Sequence, residues 1–192
     1  MSEIRLLDEI ETRARMGELA DVLADCVAGG ASVGFMAPYG PADALPFWEG
    51  VATAVGEEAT LLFAAERAGR IVGTVQVGIR QMPNQPHRAD VKKLLVMESE
   101  RGRGLARALM ALAEAEAARR GKTVLVLDTA TGSPAETVYE RLGWQRAGVI
   151  PDYALYPDGR YCATTFFYKR IGDAPCAETV QDGVHAMERT VL

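Results

Sequence analysis

Arg101-Gly102-Arg103-Gly104-Leu105-Ala106 is the stretch whose residue types and spacing most directly imply chemistry. It sits between an extended run and the first turn of a helical one, where free backbone N–H groups and the positive end of the helix dipole can face an anion. Glycine at 102 and 104 lets a ligand come close to the backbone. From Arg88 to Arg107 six basic residues stand against three acidic ones, a local excess of positive charge inside a chain of net charge −5. Positions 102, 104 and 107 read Gly-x-Gly-x-x-Arg and no second βαβ half follows, so a dinucleotide fingerprint is not satisfied. The Lys-Ser/Thr of a P-loop is also missing. From these residues alone, an anion cradle and a plain tight turn both remain open.

The chain has 192 residues, of which 48% are hydrophobic and 24% charged, enough for one well-filled core. Its mildly acidic balance gives no general attraction to nucleic acid or anionic lipid, so neither is expected as a partner. No apolar run approaches the roughly 20 residues needed to span a bilayer, and Met1-Ser2-Glu3-Ile4-Arg5 begins no signal peptide; a cytoplasmic protein is expected. Cys26, Cys162 and Cys176 never form a Cys-x-x-Cys pair, and His87 and His185 lie far apart, so no disulfide framework and no metal is expected.

The elements that must position the cradle follow from periodicity. Residues 6 to 28 place Leu6, Leu7, Ile10, Ala14, Leu19, Val22, Leu23, Cys26 and Val27 at near-helical intervals before Gly29-Gly30, which predicts one amphipathic helix. Leu45, Trp48, Ala52 and Val55 mark a second, starting near Pro41 or Ala42. Leu61 to Glu66 and Ile71 to Arg80 read as an antiparallel hairpin, and a third strand is expected from Ala89 to Met97. The cradle then feeds a helix of Leu105, Ala108, Leu109, Leu112, Ala113 and Ala117, followed by the strand Thr123 to Asp128, a βαβ unit whose second strand reads as covered on both faces. Ser133-Pro134-Ala135-Glu136 is a helix start with Ser133 as N-cap. Trp144 to Ile150 and Tyr161 to Arg170 are the last strands, with a loop from Pro151 to Arg160 between them. Residues 172 to 192 show no pattern and are read either as a mobile tail or as a short helix docked on a partner subunit in a homodimer.

Arg101-x-x-Gly104-x-Ala106 resembles the coenzyme A pyrophosphate motif of the GNAT acyltransferase superfamily, and Ala135 through Tyr139 to Trp144 resembles the helix and strand that follow it there. The resemblance covers residues 1 to 171, read as one acetyltransferase domain before the 172 to 192 extension. It implies an α/β fold: a mixed central sheet with antiparallel N-terminal strands and a parallel splayed pair, and helices on both faces. Gly29 to Met36, Ala89 to Leu94, Leu127-Asp128-Thr129 and Pro157 to Arg160 further resemble the tabtoxin-resistance acetyltransferases. Three positions depart from those patterns: Val96-Met97-Glu98 lacks the usual proline, Ser133 replaces a common asparagine, and Asp90 stands where glutamate is usual.

What the resemblance implies is acetyl transfer from acetyl-CoA, as co-substrate, to the amine of a small molecule, an amino-acid-like toxin of the tabtoxinine-β-lactam type, by direct attack in a ternary complex. The cradle residues Arg101, Gly102, Arg103, Gly104, Leu105 and Ala106 would hold the diphosphate, and the backbone of Leu94, Leu95 and Val96 the pantetheine arm. An alkylammonium of pKa about 10.4 must lose a proton before it can attack, and Asp90 and Asp128 are the candidate acceptors. The competing assignment has Asp128 capping the loop from Thr129 to Gly132 and Asp90 pairing with Lys92. Tyr139 corresponds to a tyrosine that faces the coenzyme sulfur. A phenol near pKa 10 giving a proton to a thiolate near 8.5 is uphill by about 2 kcal/mol, which favours hydrogen bonding over full transfer; a core tyrosine is the alternative. Phe35, Trp48, His87, Tyr153 and Tyr156 are candidate acceptor-pocket linings, none singled out. Two rival functions stand beside this: a non-catalytic acyl-CoA sensor, and an N-acetyltransferase of proteins or peptides.

Overall fold

The computed structural model describes residues 2–172, so Cys176, His185 and nearly all of the C-terminal extension lie outside the described residues. The first departure from expectation is at the N-terminus. Ser2–Leu7 is a strand, β1, not the start of a helix. It pairs antiparallel with the strand at Thr60–Arg67, and that pairing overrides the helical spacing of Leu6, Leu7 and Ile10. Leu7 is buried, while Leu6 and Ile10 face outward. Helix α1 (Glu9–Ala14) begins at Asp8, whose side chain accepts from Glu11 N while the Glu11 side chain accepts from Asp8 N, a capping box. The chain then breaks at Arg15 and continues as α2 (Met16–Ala28), whose inner face is Leu19, Val22, Leu23, Cys26 and Val27 as expected.

Helix α3 (Pro41–Gly56) has a proline in its first turn and buries Ala44, Trp48, Val51 and Ala52, leaving Leu45 exposed. The hairpin is β2 (Thr60–Arg67) and β3 (Arg70–Gly78). β4 (Arg88–Val96) returns antiparallel to β3, and a 3₁₀ turn at Glu98–Glu100 leads into the cradle. Helix α4 (Leu105–Arg119) carries the chain back to β5 (Val124–Ala130), which lies parallel to β4. Helix α5 (Pro134–Arg141) starts at Ser133, whose side chain makes no capping bond; Glu136 instead accepts from Gly132 N at 2.7 Å. β6 (Gln145–Leu155) runs well beyond Ile150, so the expected loop is largely strand. A register shift between Ile150 and Ala154 absorbs Pro151 on what is an edge strand, where a missing donor costs no ladder bond. β7 (Tyr161–Arg170) pairs with both β5 and β6.

The sheet order is β1-β2-β3-β4-β5-β7-β6, with β4–β5 the single parallel pair among the described strands. Two cores flank it. One packs α4 and α5 through Leu105, Leu109, Met110 and Tyr139 onto Phe63, Val75, Leu125 and Phe167. The other packs α2 and α3 through Leu19, Leu23 and Trp48 onto Leu62, Ala64 and Leu95. β5 is not covered equally on both faces: Leu125 and Leu127 are buried against α4 and α5, while Val124, Val126 and Asp128 on the other face keep some exposure. Glu114, in the C-terminal half of α4, ties that helix to the start of β6 and to β7, accepting from Trp144 Nε1 at 3.0 Å and Lys169 Nζ at 2.6 Å.

One contact sets how closely β3 and β4 can approach. A Cβ on Gly73 would stand 2.9 Å from the carbonyl oxygen of Leu95 and 3.3 Å from Val96 Cγ2. Replacing Gly73 by Ala is therefore expected to push the two strands apart and to destabilise the fold by about 1–3 kcal/mol, seen as a lower urea midpoint with unchanged slope. An unaltered midpoint would contradict this close approach.

Candidate active site

The site begins where two neighbouring strands part. β4 and β5 pair at Arg88–Val124, Ala89–Leu125 and Asp90–Val126, and their recorded pairing stops there. On its other edge β4 stays paired with β3, but two residues, Lys93 and Leu94, stand opposite the single Val75, and Lys93 takes a φ of 54°. This bulge bends β4 and strengthens its local twist. Thr74 Oγ1 donates to Lys93 O at 3.2 Å, a side-chain bond at the disturbed ladder. Beyond Asp90 the β5-facing edge of β4, which includes Leu94, Leu95 and Val96, thus has no paired strand.

The cradle follows at the end of this edge. Gly102 and Gly104 have φ of 75° and 81°, and nothing lies within 4 Å of where a Cβ would stand on either. Gly104 is the N-cap of α4 and supplies no side-chain cap, and the N–H groups from Gly102 to Arg107 find no acceptor among the described residues. The arginines divide. Arg101 Nε donates to Val96 O at 3.1 Å, and Arg103 Nε lies 3.2 Å from a Glu100 oxygen. Both side chains are thus engaged locally, and these two residues present backbone rather than a free charge. Leu105 is buried, so it too offers its N–H, while Ala106 is half-buried. Arg107, one turn into α4, is exposed. The turn is held from behind by α2, whose Asp25 accepts from Glu98 N at 2.8 Å and whose Cys26 Sγ donates to Val96 O at 3.6 Å.

Asp90 and Asp128 share the face of the sheet that looks toward α3, because strand alternation puts Asp90 and Lys92 on one side of β4, and Val126 and Asp128 on the same side of β5. Their settings differ. Asp90 Oδ2 accepts from Gln81 Nε2 at 2.7 Å and from Arg88 Nη2 at 3.2 Å, so its ion-pair partner is Arg88, not the Lys92 of the competing assignment. Asp128 is exposed at the mouth of the splay, yet partial desolvation by the surrounding protein raises its pKa; the nearby Lys93 ammonium lowers it and the Asp90 carboxylate raises it again. Lys93 has its own pKa lowered, by burial first and then by Lys92, with Asp128 opposing. Its Nζ donates to Val33 O at 2.7 Å and sits 5.6 Å from the ring centres of both Phe35 and Phe47.

Tyr139 lies on α5 on the opposite face, packed 6.0 Å from Trp144 and 5.9 Å from Phe167 between ring centres. It is core packing by burial, yet its hydroxyl pairs with no described residue. Burial, and secondarily the Asp128 charge, pushes the phenol well above its ordinary value, so giving up the proton costs more than for a free phenol. A role as hydrogen-bond donor fits this setting better than full proton transfer.

A roof covers the α3 face. Phe35 packs 4.8 Å from Tyr39 and 5.3 Å from Phe47, and Ser32 Oγ donates to Leu155 O at 2.8 Å while Ala37 N donates to Pro157 O at 2.9 Å. Of the other aromatic candidates, Trp48 is fully buried core, and Tyr153 is an exposed ring set edge-on to Phe166. Tyr156 stacks under Arg160, and His87 is exposed at the start of β4, where its carbonyl accepts from Thr123 N, away from the splay. Lys93, Tyr39, Phe47 and Arg107 were not singled out from sequence. For Lys93 the one available signal was the Lys92-Lys93 pair beside Asp90, and nothing in lysine's chemistry announces a positive φ. A larger depression, about 920 Å³, lies at the C-terminal end of α4 among Leu6, Ile10, Arg80 and Lys122, a helix length of about 22 Å from the cradle.

The model of the acetyltransferase (GNAT) family matches residues 32–144. Among solved structures, an N-acetyltransferase from Staphylococcus aureus Mu50 superposes with a TM-score of 0.73 at 18% identity, over 88% of this chain and 98% of that one. The yncA structure from Salmonella typhimurium, which holds its cofactor acetyl-CoA, superposes at 0.72 with 19% identity over 93% and 99%. Ribosomal-protein-alanine N-acetyltransferase from Brucella melitensis gives 0.70 at 22% over 88% and 99%. These likenesses establish a common fold, the one expected from sequence.

The raised pKa of Asp128 has a thermodynamic consequence. Its folded carboxyl holds a proton more tightly than the unfolded one, so its ionisation erodes stability as pH rises from the unfolded pKa, about 3.9, through the folded value. Asp128→Asn is therefore expected to raise the urea midpoint at neutral pH, with the gain vanishing near pH 3. A loss of stability at neutral pH would show that the Lys93 attraction outweighs burial.

Proposed function

The chain belongs to the acetyltransferase (GNAT) family, and from that premise we propose that it moves the acetyl group of acetyl-CoA to the amine of a small molecule by direct attack in a ternary complex. The observation that carries this reading is the gathering of an open strand edge, a turn with unspent N–H groups and a partly desolvated carboxylate around one opening between β4 and β5. The cradle fits a diphosphate: its N–H groups are unspent, its two positive-φ glycines leave room at the backbone, and the dipole of α4 points its positive end there. Arg107 adds a free charge one turn on. The N–H and C=O groups on the opened edge at Leu94, Leu95 and Val96 would hold an amide-bearing arm as a strand partner would.

Acetyl-CoA supplies, when bound, an acetyl group activated as a thioester. Asp128 accepts the proton of the acceptor ammonium, directly or through water, and partial desolvation makes it a stronger base than an ordinary aspartate. Asp90, already tied to Arg88 and Gln81, contributes negative charge to the same face and holds its position. Tyr139 donates its hydroxyl hydrogen bond toward the departing sulfur. Cys26, whose pKa burial raises, is no candidate for a covalent intermediate.

Acceptor class follows from the roof and from charge. The bonds from Ser32 to Leu155 and from Ala37 to Pro157 bridge the face that a protein N-terminus would need open, which supports a small acceptor over a polypeptide. Asp128 offers a partner for an ammonium, and Lys92 and Lys93 offer cations for a carboxylate or carbonyl, a pairing suited to an amino-acid-like molecule such as a tabtoxinine-β-lactam-type toxin. The non-catalytic sensor reading would leave the cradle in use and these charges idle.

A thiol-release assay with acetyl-CoA against amino acids, polyamines, aminoglycosides and tabtoxinine-β-lactam tests the proposal; silence from every amine defeats it. Asp128→Asn is expected to lower kcat by about 10²–10⁴-fold, and Tyr139→Phe by roughly tenfold, with coenzyme affinity retained in both. Gly104→Val is expected to weaken coenzyme binding by about tenfold or more, because a side chain is strained at φ 81° and stands where the ligand must approach. Full turnover in Asp128→Asn would remove that residue from the chemistry.

A further inference from the structure

Gln76 on β3, Lys92 on β4 and Asp128 on β5 form a row across the sheet. Gln76 is the register partner of Lys92, and Lys92 and Asp128 each stand two residues beyond the last β4–β5 pair, Asp90 with Val126. All three face α3. Between that helix and the row lies a cleft of about 370 Å³, lined by Pro46, Phe47, Gly50 and Val51 on the helix side and by Gln76 and Lys92 on the sheet side. Gln76 is fully buried, yet neither its Oε1 nor its Nε2 has a hydrogen-bond partner among the described residues. Leaving both ends of an amide unpaired in a protein interior is costly, and a partner with its own adjacent donor and acceptor removes that cost.

We propose that this cleft is the subsite for a carboxamide carried at the far end of the acceptor molecule, deepening the acetyl-transfer reading above and resting on it. On entry the carboxamide displaces the side chains that close Gln76 from solvent; its oxygen then accepts from Gln76 Nε2 and from the Lys92 ammonium, and its N–H donates to Gln76 Oε1. The Phe47 ring, which also roofs Lys93, covers the intervening methylenes. Two strand spacings of about 4.8 Å set a minimum of about 10 Å between Gln76 and Asp128, and the parting of β4 and β5 beyond Asp90 lengthens it, so the acceptor needs a chain of at least roughly five or six bonds with a hydrogen bond at each end. The acceptor is thus an amine whose other end is an amide, such as an ω-amino carboxamide.

The experiment uses three six-carbon probes, 6-aminohexanamide, 6-aminohexanoate and hexylamine, with wild type, Gln76→Leu and Gln76→Met. The KM for the amide is expected to lie about tenfold below that for hexylamine in wild type, and the two values to converge in Gln76→Leu with kcat little changed. Calorimetry without coenzyme supplies a second readout: hexanamide, which has no amine, binds wild type and not the variants. Equal KM values for all probes, a Gln76-dependent preference for the carboxylate, or hexanamide binding that ignores Gln76 would each overturn the subsite, the last two by assigning it to an anion or to water only. Hexanamide binding that requires Gln76, with no amine acetylated, would keep the subsite and defeat the acetyl-transfer reading instead. If Gln76→Leu fails to fold, Gln76→Met carries the same comparison.

Discussion

Every backbone N–H and C=O in a protein interior needs a partner, and this fold is arranged around one place where a strand is denied half of its own. β4 keeps β3 along one edge and loses β5 beyond Asp90. The bulge at Lys93 and Leu94 enforces the separation, since the added residue turns β4 away from a neighbour that continues straight. The rest of the architecture accommodates that opening. Gly73 lets β3 follow the displaced strand closely, α2 fastens the strand end through Asp25 and Cys26, and α4 starts immediately beyond it with an uncapped first turn. A ligand with a peptide-like arm and an anionic end supplies what the sheet and the helix withhold.

The charged groups around the opening are held away from their ordinary behaviour by burial. Asp128 is made more basic, Lys93 less so, and Tyr139 more reluctant to ionise, while Asp128 and Lys93 partly offset one another. Stability therefore comes from elsewhere, from the two cores on either face and from fixed points such as Glu114 between Trp144 and Lys169. This division suits the proposed proton transfer, with groups costly to bury set on a scaffold stabilised elsewhere.

The sequence disclosed the parts of the fold that local rules govern. The β2–β3 hairpin, the cradle, α4 and the start of α5 each carry turn glycines, caps or clean periodicity, and each lies where those signals place it. Where partners distant in sequence decide, the reading failed. Leu6 and Leu7 have helical spacing and are strand because β2 offers an open edge, and the helix starts only at the Asp8–Glu11 capping box seen in the structure. Pro151 looked like the end of a strand and is a bulge on an exposed edge. The site shows the same split. Asp90, Asp128, Tyr139 and residues 101 to 106 were accessible through motif and resemblance, whereas the bond from Asp90 to Arg88, the turn of Lys93 beneath the aromatic roof and the isolation of Gln76 are products of packing.

The tie between Ser32 and Leu155 joins residues 123 positions apart, and Ala37 to Pro157 repeats it. Closing so long a stretch of chain is slow compared with joining β4, α4 and β5, which are consecutive. The molecule thus contains contacts of unequal reach: the β4, α4 and β5 unit that carries the glycine turn joins consecutive elements, whereas the roof over the α3 face closes only after the last two strands have arrived. A C-terminally clipped chain lacking β6 and β7 would keep the β4, α4 and β5 segment and lose both ties that close the roof.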